Sequence, residues 1–357
     1  MKTAQKYLRR EILASTLLVL GAFLCLFTFF DFLAELEDLG KGGYELKHAI
    51  IFVALSIPSR AYEVMPIAVL IGTLYALTQF ARNSELTVLR ASGVSSMRLL
   101  GCILRIGLIF VIATFVLGEY VSPPLERVAQ KWRLRSTNAS VPQSLRTGMW
   151  VRDGKLFVNM GRVLPDTTLD TVKILEFDDS HHLVSINLAE RGTYSRNQGW
   201  LLTNIQQTRF YPDKIVSTKL PELRWASELT PEMVSVVMVT PERMSISTLY
   251  QYTRHLEANA QNSGRYEIAF WKKLVYPLAA LVMMGLALPF SLGNQRSINV
   301  GARVMMGVML GIGFYLLNGL FSNLGVINNW PPMLSATAPS LGFFVLAVVL
   351  MWTVDRR

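Results

Sequence analysis

The chain has 357 residues, 51% hydrophobic and only 17% charged, where a soluble domain carries about 25% charged residues. Its formal charge of +10 is not laid out as a basic stripe interleaved with aromatics, which argues against nucleic acid as a partner. The cations sit at the ends of long apolar runs, as membrane proteins place them.

The N-terminus, MKTAQKYLRRE, is basic, and the apolar run Ile12 to Leu33 behind it has no A-x-A cleavage site. Its length suits a retained first span better than a signal peptide. Crossing an apolar layer of ~30 Å takes ~20 helical residues. Six runs are long enough: about 12–33, 50–80, 99–120, 267–290, 301–322 and 334–354. At ~1.5 Å per residue the second covers about 45 Å, and Pro58 and Pro66 are expected to kink it. Cys25 and Cys102 fall inside apolar runs and are expected as free thiols.

Lys2, Lys6, Arg9, Arg10, Arg82, Arg90, Arg98, Arg296, Arg303, Arg356 and Arg357 gather at one set of ends, whereas the opposite short loops carry only Lys41 and Lys47. The bias predicts cytoplasmic termini and a 121–265 segment on the outer side. That segment reads as strands: MWVRDGKLFVNMGRV, TVKILEFDD, HLVSINLAERGTYS, GWLLTNIQQTRFYP and KIVSTKLPELRW. Asp153-Gly154, Asp178-Asp179-Ser180, Asn197-Gln198-Gly199 and Pro212-Asp213 supply turns. Alternation is clearest over Leu202–Phe210, and a sandwich, roll or open barrel fits. A helix over about Ser247 to Asn259 leads back to the membrane, where Trp271, Tyr276, Lys272 and Lys273 are interface anchors. The plan is three spans in 1–120, a β-rich domain in 121–265 and three spans in 266–357.

Between the second and third runs, Ala81-Arg-Asn-Ser-Glu-Leu-Thr-Val-Leu-Arg-Ala-Ser-Gly-Val reads as a short helix over about 84–92. Asn83 or Ser84 can cap it, Glu85 and Arg90 suit its dipole, and Gly93 suits a left-handed C-terminal position. Leu86 and Leu89 share a face. Such a helix can dock into a groove of a soluble partner, or be an ordinary well-capped interfacial loop.

At these residues the chain resembles a known family. Ser84-Glu-Leu-Thr-Val-Leu-Arg-Ala-Ser-Gly93 looks like the coupling helix of the lipopolysaccharide-export permeases LptF and LptG. Gly118-Glu-Tyr-Val-Ser-Pro123, Gly148-Met-Trp-Val-Arg-Asp-Gly154, Ser245-Ile-Ser-Thr-Leu and Gly264-Arg-Tyr-Glu-Ile-Ala-Phe-Trp271 follow in the family's order, the last two closer to its LptG branch. The resemblance implies six transmembrane α-helices, three and three, with an inserted periplasmic β-jellyroll-like domain, in the cell inner membrane. It implies a permease that extracts lipopolysaccharide, with sister permease LptF, a cytoplasmic LptB ATPase dimer, and LptC and LptA on the periplasmic side. It places Glu85 at the ATPase contact. The chain has no G-x-x-x-x-G-K-[ST] loop, so ATP is expected on the partner, and no cofactor or metal is expected here.

Lipopolysaccharide has acyl chains and a phosphorylated head, so its receptor needs an apolar cavity rimmed by cations. Candidates are Lys41, Arg60, Lys131, Arg133 and Arg135, with Lys272 and Lys273 behind them. Arg60 also suits a local pair with Glu63, and Lys131-Trp-Arg-Leu-Arg135 also suits a solvated link. The acidic stretch Asp31-Phe-Leu-Ala-Glu-Leu-Glu-Asp38 stands where the family carries lysines, and carboxylates there would repel phosphate. Glu176-Phe-Asp-Asp-Ser-His-His182 suits a solvated turn better than a metal site. Gly307-x-x-x-Gly311 suits close helix packing or part of a gate. The competing function is a membrane-anchored scaffold or sensor without transport. The lipoprotein-releasing type of permease, with four spans and its outer domain after the first, does not fit.

Overall fold

The computed structural model describes residues 2–40, 43–93, 95–137, 149–164, 168–180, 182–195, 199–227, 240–259, 261–292 and 300–355. Lys41, Asn197 and Gln198 lie outside them, as do the side chains of Leu89, Arg90 and Arg135. Helices α1 (Lys2–Leu36), α2 (Leu46–Arg82), α3 (Glu85–Ala91), α4 (Ser96–Val116) and α5 (Ser122–Thr137) precede strands β1 (Met149–Asp153), β2 (Leu156–Val163), β3 (Leu169–Phe177), β4 (Leu183–Ser195), β5 (Gly199–Phe210) and β6 (Ile215–Trp225). Helices α6 (Ile246–Ala258), α7 (Gly264–Leu292), α8 (Val300–Ile327) and α9 (Pro332–Asp355) complete the described chain.

Among the described residues, six helical rods are long and apolar enough to cross a membrane, one on each predicted run and each extending beyond it. The third is a single rod from α4 through a π-helical turn at Leu117–Val121 into α5, so the boundary drawn at 120 falls inside a continuous helix. Pro123 and Pro124 follow the widened turn and remove two backbone donors just past it. The turn carries Glu119, whose carboxylate accepts the Ile246 backbone N–H at 2.8 Å.

Helix α2 stays helical through Pro58 and Pro66 because neighbours surround it. Its apolar window is 78% buried, against 17% for α1 and 22% for α8, which makes α2 the axis of the bundle. Near Pro66, the Glu63 carbonyl accepts a bond from the Tyr276 hydroxyl of α7 at 2.5 Å, which ties α2 to α7 at that level. Where α1 crosses α2, a Cβ on Gly72 would lie 2.5 Å from the Thr16 backbone. Gly307 and Gly311 of α8 face Leu74, Ile71 and Ile67 of α2, so the glycine pair serves close packing within the chain.

The strands form one antiparallel sheet in sequential order, β1 to β6. The turn at Gly154 has φ +60°, suited to glycine. One face buries Val158, Met160, Val172, Trp200, Leu202 and Trp225. The sheet is curled. Trp225 Nε1 donates to Asp153 Oδ2 at 3.2 Å, although β1 and β6 are opposite edges that a flat six-stranded sheet would hold roughly 24 Å apart. In register Asp153 aligns with Val216, so the edges meet diagonally, the stagger of a sheared roll.

Pairing is interrupted along one transverse row, Gly161, Thr171, Glu190, Asn204 and Pro221. Thr171 and Asn204 take φ +58° and +53°, and Asn204 Nδ2 donates to Glu190 Oε2 at 2.8 Å. The inward set therefore changes parity: Leu202 then Ile205 in β5, Leu169 then Val172 in β3. The unbroken alternation expected over Leu202–Phe210 fails at Asn204, because a left-handed residue rotates the next side chain to the other face.

Candidate functional site

At the sheet end of the bundle, charges from α1, α2, α5 and the turn before α6 converge. Arg60 lies in α2, where it meets Asp31 of α1 through Nε–Oδ2 at 2.7 Å and Nη2–Oδ1 at 2.5 Å. Its Nη1 meets Glu63 Oε2 at 2.9 Å, one helical turn on. Glu63 lies 3.8 Å from Arg243 Nε, and Arg243 Nη1 lies 2.7 Å from Glu126 Oε1. Glu126 is 1% exposed at its side chain. It also accepts from Ser59 at 3.1 Å and Gln130 at 3.0 Å, as a buried carboxylate must.

A second cluster adjoins it. Arg133 Nη2 lies 2.6 Å from Asp38 Oδ2, and its Nε lies 3.3 Å from Glu35 Oε2. Its guanidinium sits 5.3 Å from the Phe52 ring centroid. Tyr44 donates to Glu35 at 2.8 Å, and burial first, then this bond, pushes the phenol pKa well up. In the two clusters, Asp31, Glu35, Asp38, Glu63 and Glu126 face Arg60, Arg133 and Arg243. The acidic stretch that looked hostile to a phosphate is thus the counter-ion set of two candidate arginines.

The other candidates separate. Lys131 is exposed. Lys273 is 5% exposed, donates to the Met244 carbonyl and lies 5.8 Å from the Tyr62 ring centroid. Lys272 lines a cavity of about 200 Å³ between α2, α7 and α8, with Glu63, Glu242, Tyr315 and Asn318. Glu126 and Arg243 were not legible as site residues; the only local signal is a Glu within the basic Pro124–Arg135 stretch. In the Asp178–His182 turn, Asp178 accepts the backbone N–H groups of Ser180 and His182 at 2.9 and 2.8 Å. The His182 amide first, with that of Ser180, lowers its carboxyl pKa.

At the opposite end, α3 spans seven residues between α2 and α4. Ser84 has φ +60°, outside the extended region from which an N-cap side chain reaches back. Its carbonyl still accepts from Val88 at 3.0 Å. Gly93 has φ +88°, the left-handed conformation expected of it. Leu86 is 1% exposed and belongs to the same core as Phe80, Leu99 and Leu292, so it anchors α3 inward. Glu85 is half-buried, 3.4 Å from Asn83 Nδ2, and Val88 is 65% exposed. Among its described side chains, the helix presents the Glu85 carboxylate and the apolar Val88 on a base fixed by Leu86.

A family model described as lipopolysaccharide export system permease LptF/LptG matches residues 6–353. The chain is 32% identical over 358 residues to the lipopolysaccharide export system permease protein LptG of Haemophilus influenzae, spanning 100% of this chain and 99% of that one. It is 30% identical over 354 residues to the protein of the same name from Escherichia coli K12, spanning 99% and 98%.

Proposed function

The chain belongs to the lipopolysaccharide export system permease LptF/LptG family, and on that footing we propose that it is the LptG-type subunit of an ABC transporter that extracts lipopolysaccharide from the inner membrane. As a family member with six apolar spans it is a multi-pass inner-membrane permease rather than an enzyme. In the proposed assembly it pairs with an LptF sister subunit, and an LptB dimer binds and hydrolyses ATP on the cytoplasmic side. LptC and LptA receive the lipid in the periplasm, with the curled sheet as a jellyroll-like exit.

The observation that carries the coupling role is α3. It is held by Leu86 to the bundle core and joined directly to α2, the most buried span. A push on Glu85 or Val88 is therefore delivered to the bundle axis rather than absorbed in a loop. A scaffold or sensor has no use for such a device. Among the head-group candidates, Arg60 and Arg133 act as fasteners of α1, and exposed Lys131 is the described cation best placed for phosphate.

Native mass spectrometry of the detergent-extracted protein tests this reading. A complex with one sister permease, two ATPase copies and retained lipopolysaccharide is expected; a chain recovered alone, free of lipid, would overturn it.

A further inference from the structure

The bundle has a second polar feature that the export reading does not use, at the end opposite the sheet. The first turns of α1 and the stretch of α4 from Cys102 to Ile109 border a cavity of about 390 Å³ lined by Gln5, Lys6, Arg9, Cys102 and Arg105, with Ile109 on its apolar side. The Gln5 amide donates to the Cys102 sulfur at 3.3 Å, bridging the two helices. Arg105 lies nine residues past Ser96, ~13 Å along α4 at the helical rise, which puts it inside the apolar run. It is exposed there, next to Leu108 and near Ile112, 51% and 64% exposed. A charge on that surface is costly unless it reaches a partner. Among the described residues, none of Lys6, Arg9 and Arg105 makes an ion pair. Three cations thus converge on a cavity with apolar walls, and no carboxylate is paired with them.

We propose that this cavity binds the phosphate of an anionic phospholipid, drawn from the leaflet at the N-terminal end of the bundle. Arg9 and Arg105 reach the cavity from two helices, and each guanidinium can give a phosphate two parallel N–H···O bonds. Lys6 adds charge at the rim. The apolar wall at Ile106 and Ile109 continues along α4, where acyl chains would lie; a soluble anion has no use for it. The bound lipid would fill the gap between α1 and α4, which otherwise touch little near this end. Basic pockets between spans near a membrane surface are a recurrent means of holding such head groups.

The test is native mass spectrometry of the intact protein, with whatever assembles with it, titrated with phosphatidylglycerol, phosphatidylcholine or inorganic phosphate. Wild type should take up phosphatidylglycerol where phosphatidylcholine gives no adduct. Arg9→Gln and Arg105→Gln should each weaken uptake about fivefold, the value of one basic residue near a membrane surface. Arg105→Lys should keep most of it. Equal uptake of the two lipids, or unchanged phosphatidylglycerol uptake by Arg9→Gln, would mean that Arg105 merely snorkels, and the proposal fails. Displacement of the lipid by millimolar phosphate would make the ligand a soluble anion, which equally overturns it. If Arg105→Gln does not assemble, Arg9→Gln, in the exposed first turns of α1, decides the matter.

Discussion

Arg60 of α2 holds Asp31 of α1 through two hydrogen bonds, at 2.7 and 2.5 Å. The pair clamps the least buried span to the most buried one at the sheet end. The Thr16–Gly72 contact does the same lower down. If α1 swings outward during a cycle, this pair must break, as must the Arg133 contacts to Glu35 and Asp38.

Asp31→Asn keeps the shape and removes the charge. Both side chains are about a quarter exposed, so the expected loss is roughly 1.5 kcal/mol, the low end for hydrogen bonds to charged groups. Hydrogen exchange should rise in the last turns of α1 and leave α7 unchanged. Equal protection in both helices would show that Asp31 does not fasten α1.

Arg243→Gln should cost about 3 kcal/mol, because it strands the Glu126 carboxylate in a buried site. Adding Glu126→Gln should recover most of that loss, since the pair is then neutral. A double-mutant cycle on thermal unfolding reads the coupling; strictly additive losses would place the two residues in separate interactions.

Within α3, two substitutions should divide. Glu85→Ala should leave the fold intact and lower ATPase stimulation in the assembled complex. Leu86→Ala removes the anchor, a loss of about 3 kcal/mol for a fully buried leucine, and should open residues 83–93 to limited proteolysis. Protease resistance in the Leu86 variant would mean that α3 is held by something else.

Tyr44 gives a pH signature. The fold favours its neutral phenol, so the folded pKa is raised above the unfolded value of about 10. The contribution is therefore complete below that pH and is lost as pH climbs past it. The difference in phenolate absorbance between wild type and Tyr44→Phe should appear above pH 10, after the ordinary tyrosines. A difference centred at the ordinary value would mean that the bond to Glu35 does not hold.

The six spans and the strands were legible in the sequence because each is a local pattern, an apolar run or a segment bounded by turn residues. Gly154 and Gly93 announced their backbone conformations. The site was not legible in the same way. Asp31 and Arg60 are 29 residues apart, and Asp38 and Arg133 are 95 apart, so no local window contains both charges of a pair. Without their partners, the acids looked like an obstacle to phosphate. Leu86 was placed with Leu89 on one face of the helix, but periodicity does not say whether such a face meets a partner or, as Leu86 does, the chain's own core. The left-handed residues at Thr171 and Asn204 carry no glycine signal and so broke the alternation unannounced.

That broken alternation has a consequence for anything sliding along the inside of the curled sheet. On β5 the lining runs through even-numbered side chains, Trp200 and Leu202, and resumes at odd-numbered Ile205. In the proposed exit role, a hydrocarbon tail that parted this buried face would change handholds at Asn204, leaving one ladder of side chains for another offset by a single residue. Crosslinkers spaced two residues apart would follow it only as far as the row that runs from Gly161 to Pro221.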